Sequence, residues 1–331
     1  MRICVYGLGA IGGLVAGRLA LAGARVSAVA RDATLQAVRE HGLVIADASG
    51  TRQIARIVAS DRPEDLGPQD LVIAALKTTA LPQVAGNVAK LLGPNTTLLS
   101  AMNGVPWWFF HGLSQAPAGL GLETVDTGGA VTRALPPQRV VGSVVHLSAI
   151  CPEPGVVRAI AGNRILIGEP AGGAATPRAR MVRDALATAG FEVEGVPCIQ
   201  QEIWFKLWGN MTVNPVSAIT GATGDRILDD ELVRGFMTRC MREAAAIGAR
   251  IGLPIATPPE ERHAVTRKLG AFRTSMLQDV EACKPVELDA LVAAVREIAA
   301  ALQLETPNID ALFGLARLHA RVRGLYPEET A

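Results

Sequence analysis

Residues 2–31 decide how this chain is read: Arg2-Ile3-Cys4-Val5-Tyr6-Gly7-Leu8-Gly9-Ala10-Ile11-Gly12, an apolar stretch to Gly23, then Arg25-Val26-Ser27-Ala28-Val29-Ala30-Arg31. Residues 2–6 form a strand-like run. From Ala10 to Ala22 the spacing is helical, and Gly23 supplies a C-terminal stop. Residues 25–30 read as a second buried strand. Strand, helix and strand within about 30 residues require a right-handed parallel crossover. Gly7 allows the tight turn, Gly9 lets backbone approach a pyrophosphate, and Gly12 permits close helix–strand packing. With Leu8, Ala10 and Ile11 they complete a Gly-x-Gly-x-x-Gly turn whose amides and helix dipole face an anion. The alternative is a glycine-rich turn without a ligand, and the place between a strand and a helix favours the binding turn over it.

The end of the second strand reads out the cofactor. An NAD enzyme usually carries Asp or Glu there for the ribose 2′-hydroxyl, whereas this chain has Arg31 followed by Asp32. The planar guanidinium of Arg31 suits a 2′-phosphate, so NADP(H) is expected. Asp32 is left as an alternative acid or as the cap of a helix starting near Ala33.

Further strand-like runs follow at 71–76, 97–101, 140–148 and 164–168, two of them just after the turn dipeptides Gly67-Pro68 and Gly93-Pro94. Beyond Pro197 strand signals nearly vanish. Helical spacing dominates over about 199–220, 229–251, 259–270, 275–283, 286–303 and 307–323. The expectation is α/β: a Rossmann-like, doubly wound parallel sheet over residues 1–197 and an all-helical substrate or dimerisation domain over 198–331.

Composition narrows the function classes. The 331 residues are 49% hydrophobic and 19% charged with net charge +1, and no dense basic run occurs, so nucleic acid is not the expected partner. The five cysteines are widely spaced and form no Cys-x-x-Cys, which suggests neither a metal site nor a disulfide framework. Glycines and Arg18 interrupt the apolar N-terminal stretch, so it reads as a fold element rather than a signal peptide. A cytoplasmic protein without a membrane span is expected.

Two residues mark strand ends where α/β folds bind ligands: Lys77 after Leu71–Leu76, and Asn103 after Ser100-Ala101-Met102. Later, Lys206, Asn210 and Asn214 recur every four residues within Trp204–Pro215, a polar stripe on an apolar helix. Such a stripe needs partners, either a neighbouring loop or a ligand. Ser275 with Gln278 three residues on reads as a capping box or a site. Glu287 after Pro285 reads as a first-turn acid or a site.

Together these residues resemble the ketopantoate reductase family. The matching pieces are Gly7–Gly13, the strand ending in Lys77, Asn103-Gly104, the Lys206/Asn210/Asn214 helix, and Ser275-Met276-Leu277-Gln278-Asp279 with the later Glu287. They run in the family's order from residue 3 to about 290. The resemblance implies NADPH-dependent reduction of ketopantoate (2-dehydropantoate) to pantoate, as in pantothenate biosynthesis. It implies that Gly7–Gly12 cradle the pyrophosphate, Arg31 holds the 2′-phosphate, Lys77 lies near the cofactor, and Asn103 borders nicotinamide and substrate. Lys206 matches the catalytic lysine, Glu287 the active-site glutamate, and Asn210, Asn214 and Ser275 the substrate-binding positions. A homodimer fits the family. Reduction or oxidation of another 2-oxo or hydroxy acid, and an NADPH-binding sensor without turnover, are the alternatives. The chain departs from the family after Asn103-Gly104. Val105-Pro106-Trp107-Trp108-Phe109-Phe110 stands there, expected to narrow the pocket or line an interface, and Val286 replaces the frequent Thr.

Overall fold

The computed structural model describes residues 1–47, 49–117 and 119–328. The chain divides into two compact units, Met1–Met102 with Gly129–Glu202, and Asn103–Gly128 with Ile203–Ala331. The sequence reading drew one boundary at 197/198. In the structure residues 103–128 group instead with the helical unit, because Trp108 and Phe109 are buried at 1% and 0% exposure and Phe109 packs 6.0 Å from Trp204.

The first unit holds strands β1 (Arg2–Tyr6), β2 (Arg25–Val29), β3 (Leu43–Ala46), β4 (Arg52–Ala55), β5 (Val58–Ser60), β6 (Gln69–Ala74), β7 (Leu92–Ser100), β8 (Val140–Glu153), β9 (Val156–Gly168) and β10 (Glu192–Gly195). Its helices are α1 (Ala10–Leu21), α2 (Asp32–His41), α3 (Leu81–Ala89), α4 (Ala130–Ala134) and α5 (Pro177–Thr188). The path β5-β2-β1-β6-β7-β8 is parallel throughout, which is the doubly wound order. Two antiparallel pairs extend it, β8 with β9 and β3 with β4, while β3 and β10 pair parallel with β9. The sequence reading missed β3, β4, β5 and β10, each of only three or four residues and partly exposed, too short for a period to register.

The added strands bring the sheet around α1, which touches β1 and β2 as well as β3, β4, β8 and β9. Helix α1 is accordingly buried along most of its length, and its small residues make room. A Cβ on Gly13 would lie 2.6 Å from Val157 of β9, and one on Gly17 would lie 2.3 Å from Ile45 of β3. The glycines beyond the phosphate turn therefore serve packing.

The second unit contains α6 (Ile199–Thr220, its first turn in the first unit), α7 (Gly224–Asp229), α8 (Glu231–Arg250), α9 (Pro259–Arg267), α10 (Ser275–Glu281), α11 (Ala294–Ala301) and α12 (Pro307–Val322). The expected helix over 229–251 is found as α8, which starts after Asp230, whose carboxylate accepts from the amides of Leu232 and Val233. The expected helix over 286–303 opens as a π-helical segment, Asp289–Ala293, before α11. There the Ala294 amide bonds to the Asp289 carbonyl, which diverts it from Ala290. The Ala290 carbonyl is released and accepts the amide of Val105 at 2.8 Å. The C-terminal segment braces the same region: Val286 donates to the Leu325 carbonyl at 3.1 Å, and the Tyr326 hydroxyl donates to Asp289.

Two stability measurements follow. A Gly12→Ala side chain would meet the Gly7 carbonyl at 2.0 Å, whereas one at Gly9 faces open space. In urea titrations Gly12→Ala is expected to lose about 1–3 kcal/mol or more, and Gly9→Ala less than about 1 kcal/mol. Tyr326→Phe leaves the half-buried Asp289 carboxylate without its hydroxyl donor and is expected to cost about 1–3 kcal/mol at neutral pH.

Candidate active site

In the first unit the turn from β1 to α1 has the form that a bound pyrophosphate needs. Gly7 has φ +100°, and a Cβ there would strike the Ala75 carbonyl at 2.8 Å. Gly9 is the N-cap of α1, and among the described residues no side chain caps the amides at the helix start. Nothing lies within 4 Å of a Cβ built on Gly9. An anion can therefore approach the backbone closely. Helix α2 begins at Asp32 itself, with Arg31 as its N-cap, so Asp32 is not the cap the sequence suggested. Arg31 and Asp32 lie 3.6 Å apart with side chains 89% and 85% exposed, a surface pair that holds Arg31 only weakly in place. Lys77 follows β6 and caps a single 3₁₀ turn, Thr78–Ala80.

The second unit assembles the other candidates. Helix α6 places Lys206, Asn210 and Asn214 on one face. The Lys206 ammonium donates to Asn103 Oδ1 at 2.9 Å, a contact between residues 103 positions apart. Asn103 is held there by its neighbour: Gly104 has φ +79°, and a Cβ on it would lie 2.6 Å from the Ala290 carbonyl oxygen. Glu287 precedes the π-helical segment and acts electrostatically on Lys206. Burial pushes the Lys206 ammonium down to about 8, the Glu287 carboxylate opposes this, and the Arg262 guanidinium adds to it.

Asn214 is 6% exposed, yet among the described residues the amides of Asn210 and Asn214 make no side-chain hydrogen bond. Buried amides normally find partners, so this face is prepared for a polar ligand. Ser275 is exposed and is not the N-cap of α10; Thr274 takes that role and accepts from the Leu277 amide at 3.1 Å. Gln278 bonds to the Arg273 carbonyl rather than closing a capping box.

The aromatic run does not form a pocket wall or an exposed surface at its centre. Trp108 and Phe109 are core, and Phe110 meets Phe109 edge-on at 5.4 Å. Val286 is buried at 3% exposure, where a methyl packs well and its own amide is already paired. Arg262 of α9 is a residue that sequence reading passed over. Its only signal was Gly209, a glycine inside the helix that carries Lys206 and Asn210.

Comparison with known proteins identifies the family. The family described as ketopantoate reductase PanE/ApbA matches residues 3–172, and its C-terminal counterpart matches residues 198–320. A 2-dehydropantoate 2-reductase of Mesorhizobium japonicum is 40% identical over 327 residues, 98% of this chain and 100% of the relative. One of Halobacterium salinarum is 26% identical, covering 97% and 99% of the two chains. A crystal structure from Ralstonia solanacearum MolK2, named provisionally as a ketopantoate reductase, is 50% identical with a TM-score of 0.92 and covers 98% and 99%. A D-mandelate dehydrogenase solved with NADH and anilino(oxo)acetate shares the fold at 19% identity and a TM-score of 0.83, covering 98% and 100%. Among the described residues no helix is long and apolar enough to cross a membrane. The chain belongs to the ketopantoate reductase (PanE/ApbA) family of oxidoreductases.

Proposed function

We propose that the protein reduces ketopantoate to pantoate with NADPH, with Lys206 as the general acid. The observation that carries this reading is the Lys206–Asn103 hydrogen bond of 2.9 Å, made by a lysine whose pKa burial has brought down to about 8. An ammonium of that acidity holds its proton at neutral pH and gives it up readily to a developing alkoxide. The 40% identity to a full-length 2-dehydropantoate 2-reductase supports the choice of substrate.

When bound, NADPH supplies the hydride that adds to the ketone carbon. Gly7–Gly12 would hold the pyrophosphate on amides that no side chain caps, Arg31 would pair with the 2′-phosphate, and Lys77 would lie near the cofactor. Lys206 delivers its proton to the carbonyl oxygen as the charge develops there, and recovers one from solvent afterwards. Asn103 orients the ammonium. Glu287 keeps it protonated against the desolvation of its site. Asn210, Asn214 and Ser275 hold the hydroxyl and carboxylate groups so that the reacting carbon is correctly presented. On the same reading the protein is cytoplasmic and dimeric. Leu315, Leu318 and Val322, spaced along one face of α12 and 60%, 62% and 79% exposed, are apolar surface that a second copy would cover.

The test is NADPH oxidation followed by absorbance with ketopantoate, pyruvate, 2-oxobutyrate and 2-oxoisovalerate. Ketopantoate is expected to be turned over fastest, and turnover of another 2-oxo acid alone would overturn the substrate. Arg31→Ala should raise KM for NADPH about tenfold while leaving NADH little changed. Lys206→Ala should lower kcat by about 10²–10⁴. In the wild type kcat/KM should hold constant below pH 8 and fall as pH rises through about 8, where Lys206 of the free enzyme loses its proton. A profile flat to pH 10 would remove Lys206 from the acid role.

A further inference from the structure

Helix α9 brings a cation onto the face of α6 that carries Lys206 and Asn210. The Arg262 guanidinium lies over Gly209, where a Cβ would meet Nη2 at 2.7 Å and Cζ and Nε at 2.9 Å. Gly209 stands three residues after Lys206 and next to Asn210, so the guanidinium is about one helical turn from the lysine. Any larger residue at 209 would push it away. The helix is bare at that point, at a propensity cost of roughly 1 kcal/mol relative to alanine.

The cation is not explained by its protein partners. Arg262 Nη1 donates to Thr266 Oγ1 at 2.7 Å, one turn along its own helix. Its Nε is buried with no hydrogen-bond partner, and among the described residues no carboxylate lies within ion-pair distance of it. Burial lowers the pKa of Arg262, and its charge works against the protonated form of Lys206. A desolvated guanidinium with an orphaned donor beside another cation is unfavourable unless an anion joins them. Guanidinium geometry matches a carboxylate through two parallel N–H donors.

We propose that Arg262 is a substrate-binding residue of this chain, taking the carboxylate of the 2-oxo acid while Lys206 addresses the neighbouring ketone oxygen. The two groups of such a substrate sit on adjacent carbons, which suits two cations about one helical turn apart on the same face. The substrate's negative charge offsets the like-charge repulsion between Arg262 and Lys206 and keeps the lysine protonated when reduction begins. Arg262 thereby selects acids over uncharged ketones of the same shape. The assignment rests on the reductase reading but can be tested apart from it.

The experiment compares wild type, Arg262→Gln and Arg262→Lys, each checked for unchanged thermal unfolding and unchanged NADPH affinity by fluorescence titration. Arg262→Gln should raise KM for ketopantoate about tenfold or more, with a smaller change in kcat. Arg262→Lys should recover part of the loss. Turnover of ketopantoyl lactone, the uncharged cyclic ester, should be similar in all three proteins. The alkaline limb of kcat/KM should move upward in Arg262→Gln, since a like charge beside Lys206 has gone. If the lactone suffers as much as the acid, or if KM for ketopantoate stays put, the assignment is wrong. Calorimetry with oxamate and the NADPH-loaded enzyme reads the site without turnover. Should the wild type reduce no 2-oxo acid, the reductase reading fails, yet oxamate binding lost in Arg262→Gln still upholds the carboxylate site. Absent oxamate binding, or equal binding by both proteins, overturns it.

Discussion

A single backbone hydrogen bond, from the Val105 amide to the Ala290 carbonyl, organises the helical unit around its candidate acid. That carbonyl is available only because the Asp289–Ala293 segment is wound as a π-helix, which sends the Ala294 amide to Asp289 instead. Gly104 can approach so closely only without a side chain and only at φ +79°. The residue before it is Asn103, whose amide oxygen receives Lys206. Two residues ahead of the π segment stands Glu287, whose charge bears on the same lysine. One local irregularity thus sets two of the groups that surround Lys206. Tyr326 and Leu325 hold that irregularity from the chain's far end.

The first unit obeys a different constraint. Its strand order is that of a nucleotide-binding sheet, but β8 and β9 turn back antiparallel and carry β3, β4 and β10 with them. This closes apolar surface over α1 on sides that an open sheet would leave to solvent. The helix answers with Gly13 and Gly17 rather than with larger apolar residues, since backbone must come near Val157 and Ile45. Two demands fall on one dozen residues: the start of α1 must expose amides, and its middle must disappear into the core.

Much of this could be read from local pattern. The strand–Gly-x-Gly-x-x-Gly–helix unit and the four-residue spacing of Lys206, Asn210 and Asn214 are periodic over a few turns, and periodic features survive folding unchanged. What could not be read depends on tertiary neighbours. The cap of α10 is Thr274 rather than Ser275, because cap geometry is decided by where the preceding loop enters. Residues 103–128 join the helical unit because Phe109 finds Trp204, a partner 95 residues on that no local spacing announces. The π segment shows no signature in its own residues, Asp289-Ala290-Leu291-Val292-Ala293. Arg262 looks like any arginine on a short amphipathic helix until Gly209 is seen beneath it.

The electrostatics of Lys206 bring these pieces to one point. Burial alone would favour the neutral amine, and a neutral amine cannot protonate an alkoxide. Glu287 opposes that tendency, while Arg262 strengthens it. Formally the trio of Lys206, Arg262 and Glu287 carries one net positive charge, and a 2-oxo acid carries one negative charge. On the proposed reading, docking the substrate neutralises the cluster and offsets the repulsion by which Arg262 adds to the effect of burial on Lys206. When the carbonyl oxygen later gains negative charge, the excess is met by an ammonium already in place, with no water reorganised to do so. The pKa near 8 in the free protein is set first by burial, and a substrate anion would offset the smaller push that Arg262 adds.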